Sequence, residues 1–143
     1  MFRFLALALV LVALIAVAAP LQAAEVPAPL LDAYLKIGTA LAGDQTDGVP
    51  AAAKALAAEA KKLGASGAAT LAAAEKIAAA ADLKATRTAF GDLSDAVIAL
   101  AGTASGGAKR AYCPMAKKYW LQKGDKIENP YYGSQMLRCG EFK

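Results

Sequence analysis

The chain has 143 residues, a formal net charge of +4, two cysteines and no histidine. Without histidine there is no Ser-His-Asp triad, no Cys-His nucleophile pair and no imidazole metal site. Two cysteines alone argue against a one-chain structural zinc site, and neither a Gly-Lys-Ser/Thr phosphate loop nor a strand-linked GxGxxG is present, so no enzymatic activity is expected.

Residues 1–24 read as a secretory signal peptide. Arg3 gives the positive start, residues 5–19 are an uncharged apolar run, and Pro20, Leu21, Gln22, Ala23 and Ala24 form a small-residue exit. The run falls short of the roughly 20 residues that crossing a bilayer takes. Cleavage after Ala23 or Ala24 is expected, and with no cysteine directly after the run a lipid-anchored start is excluded. The expected product is periplasmic or secreted, is not held in a membrane after cleavage, and forms one domain over 25–143.

Four helices are predicted next. The first covers 29–42, with Leu30, Leu31, Tyr34, Leu35, Ile37 and Leu41 on a broad apolar face. Gly43-Asp44 and Asp47-Gly48 mark a turn. Asp47 is the expected cap of a second helix running to Leu63, with Pro50 in its first turn, a stripe of Val49, Ala53, Leu56, Ala60 and Leu63, and Gly64 as its stop. Ser66 is the expected cap of a third helix over 67–81, with Leu71, Ala74, Ile77 and Ala81 inside. Asp82 caps a fourth over 83–103, whose seam is Leu83, Thr86, Phe90, Leu93, Val97 and Leu100. Gly91 inside that helix predicts a bend or a close helix contact. Residues 104–108 form a flexible joint.

Alanine favours helix but buries little apolar area, so these elements predict a thin-cored, all-α, up-down four-helix bundle over about 29–103. An irregular tail over 109–142 is expected to pack against it. The helical acids lack Glu-x-x-His partners, which disfavours a di-metal bundle.

The tail carries the unusual residues. It holds both cysteines, the only tryptophan, and two of three methionines. Lys109, Arg110, Lys117, Lys118, Lys123, Lys126, Arg138 and Lys143 outnumber Asp125, Glu128 and Glu141 there. They are interleaved with acids, which reads as a solvated basic face and not as a nucleic-acid site. In extended backbone Cys113 and Met115, two apart, would point the same way. Met136 and Cys139, three apart, would share one face of a helical turn. Asn129, Pro130, Tyr131, Tyr132 and Gly133 read as a chain reversal that could join the two pairs.

Two readings of the sulfurs stay open. Exported chains with two cysteines commonly bridge them, and a Cys113–Cys139 disulfide would stabilise the fold by roughly 3–4 kcal/mol in the loop-entropy account. Alternatively, Cys113, Met115, Met136 and Cys139 form a soft, all-sulfur site of the kind that selects Cu(I), and by the same reasoning Ag(I).

The stretches YCPMA, Trp-Leu and IENPYYGSQMLRCG resemble the signature of an uncharacterised bacterial domain-of-unknown-function family, and LLDAYLKIGTALAGD resembles its opening. The resemblance spans about 30–142. That family occurs as free-standing exported proteins and fused to adaptor subunits of CusB-type copper/silver efflux systems. The resemblance implies a periplasmic helical domain in soft-metal handling, partnered with an efflux adaptor or another metal-handling protein. It carries Cys113, Met115, Met136 and Cys139 over as ligands, Asn129, Pro130, Tyr131 and Gly133 as a structural turn, and Trp120 as an anchor. Many relatives have histidine before Cys-Pro-Met; Tyr112 stands there here, which leaves sulfur as the donor set.

Overall fold

Apolar residues at helical spacing and an alanine-rich background produce four helices in the structure, a computed structural model that describes residues 26–102 and 105–143. The signal segment, Thr103 and Ala104 lie outside the described residues. Helix α1 is Ala28–Ala42, α2 Val49–Lys62, α3 Ala68–Ala78 and α4 Leu83–Ala101. Among the described residues no helix is long and apolar enough to cross a membrane.

Helices α1, α2 and α4 bury most of the stripe their sequence spaces, and α3 buries Ala74 and Ile77 but leaves Leu71 partly exposed. Leu30, Leu31, Tyr34, Ile37 and Leu41 of α1 are buried, as are Val49, Ala53, Leu56 and Ala60 of α2 and Thr86, Phe90, Leu93 and Val97 of α4. Asp82 caps α4, its Oδ1 accepting the Ala85 N–H at 2.8 Å. The other two expected caps do not form. Gly48, in left-handed backbone, precedes α2 in place of Asp47, and Ser66 spends its hydroxyl on the Leu63 carbonyl inside a short 3-10 turn, Gly64–Gly67. Helix α3 stops at Ala78, so Ala81 lies exposed.

The all-α expectation is overturned. The tail builds a three-stranded antiparallel sheet, β1 Lys109–Cys113, β2 Lys118–Gln122 and β3 Glu141–Phe142, in the order β2-β1-β3; the protein is a mixed α/β structure. Tyr112 pairs with Tyr119 and Ala111 with Trp120 across the hairpin, and β3 returns to pair Glu141 with Tyr112 and Phe142 with Ala111. The strands escaped the sequence reading for a physical reason. β2 buries Trp120, Leu121 and Gln122 in succession, because helices and a loop enclose it on more than one side, so the alternation that marks a half-buried strand is missing.

Consecutive helices pack side by side, but α1 and α4 meet only sparsely, and β2 packs on both. The outer edge of β2 is tied down: the Leu121 N–H donates to Tyr34 Oη at 3.1 Å, and that hydroxyl bonds Ser94 Oγ at 2.7 Å. An edge strand with free N–H groups would otherwise be left to solvent or to another chain. An aromatic series follows the same seam. Tyr34 stacks on Phe90 at 5.2 Å, Phe90 meets Tyr131 at 5.8 Å, and Tyr131 meets the Trp120 ring edge-on at 5.9 Å. Alanine-rich helices leave that width unfilled; the tail's large rings fill it. Gly91 is buried. It faces the Lys118 side chain of β2, 3.3 Å from where a β-carbon would stand, and Lys118 pairs with Asp95 at 2.6 Å. The joint before β1 is a turn in which Ala108 N–H bonds the Ser105 carbonyl at 2.9 Å.

Candidate functional site

Strand β1 ends at Cys113, which is fully buried. The β1–β3 register sets Tyr112 against Glu141, which brings the chain just before β3 alongside Cys113. Cys139 sits there, half-buried. The two sulfurs are 3.5 Å apart. A disulfide needs about 2.05 Å, so both are free thiols.

Local backbone makes this approach feasible at Gly140, whose φ is 144°. A β-carbon there would stand 2.7 Å from the Trp120 ring and 3.0 Å from the Tyr112 carbonyl. Only glycine lets the chain pass between the indole and β1 and still leave Cys139 facing Cys113.

The Cys113 sulfur is lined with donors. The Ala116 N–H reaches it at 3.4 Å, in the turn that Pro114 opens. Burial opposes ionisation of Cys113. The hydrogen bonds from the Ala116 N–H, the Asn129 side chain, the Cys139 thiol and the Met115 N–H outweigh it and hold the thiol below its ordinary range. Cys139 moves the other way. Its hydrogen bond to Cys113, with burial and the charge on Cys113 adding to it, pushes its thiol up. Of the two thiols, Cys113 is therefore the one that ionises first.

The two methionines stand in different settings. The strand stops at Cys113, the chain turns over Pro114–Lys117 with Lys117 at φ 52°, and Met115 is thrown outward, 61% exposed. Met136 follows a short 3-10 turn, Gly133–Gln135, and is partly buried. Its carbonyl accepts the Cys139 N–H at 2.9 Å, so the two residues share a turn but not a helix. Among the described residues no group of three or more Cys, Asp or Glu side chains is placed to hold an ion. Any ion at this site would be held by the two cysteine sulfurs, with thioether the available supplement.

Asn129 organises the approach. Fully buried, it donates from Nδ2 to the Cys139 carbonyl at 2.7 Å and accepts the Tyr131 N–H at Oδ1 at 2.8 Å. Its own N–H bonds the Leu137 carbonyl at 2.9 Å. Trp120 is buried against this loop, its indole N–H donating to Gln122 Oε1 at 2.9 Å, and the same oxygen takes the Glu128 N–H at 3.0 Å.

Two residues that matter here carried no motif. Arg87 of α4 donates from Nε to the Pro130 carbonyl at 3.0 Å, and from Nη2 to the Leu41 carbonyl at 2.7 Å and Asp44 Oδ1 at 2.6 Å. Asp44 Oδ2 accepts the Ser134 N–H at 3.0 Å. The turn over 129–134 is thus bolted to the ends of two helices. The available signal was the placement of Arg87 three residues before Phe90 and four after Leu83, beside an otherwise apolar seam.

The hydrogen bonds from Ser134 and Arg87 lower the Asp44 carboxyl to about 2. A carboxyl depressed on folding stabilises the native state above its unfolded value, near 3.9, and loses that contribution as pH falls through the folded value. Melting temperature is therefore expected to drop between about pH 4 and pH 2 more steeply in the wild type than in Asp44→Asn, followed by circular dichroism. Parallel pH profiles for the two proteins would show that this carboxylate does not hold the turn.

A protein-family model described as "Protein of unknown function (DUF3347)" matches residues 30–108, which covers the four helices and stops where β1 begins. The match does not extend over the cysteine-bearing tail. No curated protein and no solved structure matches the chain.

Proposed function

Given that the chain belongs to the DUF3347 family, whose description assigns no activity, we propose that it is an exported protein that binds or relays a soft monovalent ion, Cu(I) or Ag(I), through Cys113 and Cys139. The observation that carries this reading is the free thiol pair at 3.5 Å. Thiolate and thioether donors select Cu(I) over hard ions, and a pair of sulfurs without nearby carboxylates falls short of the four ligands that structural zinc takes. The donors around Cys113 favour a thiolate, the form that binds metal. Met115, exposed two residues after Cys113, supplies a thioether at the surface. The resemblance of the tail to a family fused to copper/silver efflux adaptors supports the same cargo, and such an adaptor is the partner this reading implies. The leader-like N-terminal segment supports action in the periplasm.

Reduced protein titrated anaerobically with Cu(I) against a chromogenic chelator is expected to take up about one ion per chain. In Cys113→Ser/Cys139→Ser, affinity falls by more than the roughly 100-fold that loss of an outer hydrogen-bond partner costs. Wild-type affinity in the double variant would refute the proposal. A second reading shares the same sulfur pair: a structural or adaptor module of the cell envelope, stapled by a Cys113–Cys139 disulfide. It requires that removing both cysteines lower thermal stability and leave metal tolerance unchanged.

A further inference from the structure

We propose that Cys139 is the sulfur at which a small-molecule disulfide reacts, and that Cys113 resolves the adduct by closing an intramolecular disulfide. Cys113 has no exposed surface and lies at the inner end of β1 under the loop that Asn129 holds. Cys139 is partly exposed and lies between a one-turn 3-10 element and a strand of two residues. Of the two, the partly exposed Cys139 is the residue an external disulfide meets. Once attached, it would sit on a sulfur only 3.5 Å from Cys113.

The steps balance. The Cys139 thiol loses its proton and attacks one sulfur of the oxidant RS–SR, forming Cys139–S–SR and releasing RS⁻, which takes up a proton. Cys113 then gives up its proton and attacks the Cys139 sulfur; the Cys113–Cys139 bond forms, the mixed bond breaks, and a second RS⁻ leaves and takes up a proton. Two protein thiols are oxidised and one small disulfide is reduced to two thiols.

Closure asks little of the fold. The sulfurs must approach by about 1.5 Å to reach bonding distance. The backbones that carry them are already registered by the Tyr112–Glu141 pairing and the Asn129–Cys139 hydrogen bond. The cost is the loss of the Ala116 N–H contact to the sulfur. This chemistry does not rest on the metal reading, since it would proceed in a protein that binds no ion; where both hold, oxidation would switch the metal site off.

The test is intact-mass analysis of native, reduced protein incubated with oxidised glutathione. Wild type is expected to lose two hydrogens and retain no adduct. Cys113→Ala should trap one glutathionyl group on Cys139, mapped by peptide digestion, while Cys139→Ala should be modified at least roughly tenfold more slowly. Near-UV circular dichroism establishes that both variants keep the packed tail, and Cys113→Ser replaces Cys113→Ala if the latter loses it. A wild type that keeps its glutathionyl group would overturn the proposal, as would Cys139→Ala reacting as fast as Cys113→Ala. Cu(I) titration of the reduced protein is read separately, so failure of one reading is visible without the other.

Discussion

Gly133→Ala is expected to destabilise the protein by about 2–5 kcal/mol and to loosen the tail from the helices. Two costs combine. Gly133 has φ 56°, where a residue with a β-carbon pays about 1–2 kcal/mol. The added methyl would also overlap Asp44 Oδ1 and Arg87 Nη2, and overpacking of this kind typically costs about 1–3 kcal/mol. The overlap cannot be relieved by a small shift, because Arg87 is held by the Leu41 and Pro130 carbonyls and Asp44 by the Ser134 N–H. Chemical unfolding followed by Trp120 fluorescence reads both global stability and the seating of the tail. The costs separate in part in a double variant: adding Asp44→Ala removes two of the three overlapping atoms and should restore part of the loss, leaving the Arg87 overlap and the backbone strain. A change within about 0.5 kcal/mol for Gly133→Ala would mean that this turn does not hold the tail to the helices.

Trp120→Ala is expected to cost about 3–5 kcal/mol, the range for removing a buried aromatic, and to lower the melting temperature by at least roughly 10 °C. The indole is 1% exposed and fills the space between β1, the loop over 127–132 and the Gly140 backbone. Its loss leaves a cavity that the surrounding backbone is poorly able to collapse into, since Asn129 and Gln122 hold that loop by hydrogen bonds. Because Gly140 leans on the same ring, Cys139 loses its fixed position, and under the proposed function weaker Cu(I) binding should accompany the thermal shift. Trp120→Phe keeps a ring but not the N–H to Gln122, and should cost clearly less than the alanine variant. Equal losses in the two would mean that the hydrogen bond, not the volume, is what this residue contributes.

The helices were legible because their cause is local. Leu30, Tyr34, Ile37 and Leu41 recur at helical spacing in alanine-rich sequence, and the buried faces match that spacing. Capping was less legible. Asp82 has the extended backbone a cap needs, whereas the turn before α2 is closed by a left-handed Gly48. Asp47 therefore had no role to fill.

The tail divides differently. The sequence announced it by concentrating sulfur, tryptophan and tyrosine in one stretch, and the Asn129–Gly133 turn was readable because Asn, Pro and Gly each restrict or free a particular backbone angle. That Cys113 and Cys139 meet was readable in both sequence readings, as a disulfide or as part of an all-sulfur site, but not whether they meet as a bridge or as free thiols. Which sulfurs meet depends on where β1 stops, and it stops at Cys113 because the chain turns at Pro114 to form the hairpin, which sends Met115 into solvent.

What the sequence determined by itself was helical periodicity, the absence of imidazole chemistry and the residue types available to a soft site, because each follows from composition or from spacing along a few residues. The tertiary structure alone decided that the tail is a sheet, that its two cysteine sulfurs stand 3.5 Å apart as free thiols, and that Arg87 and Asp44 bolt the turn to the helices. Those features depend on contacts between residues far apart in the chain, such as Asp44 with Ser134 and Tyr34 with Leu121. No local preference encodes such contacts until burial and hydrogen bonding choose among them.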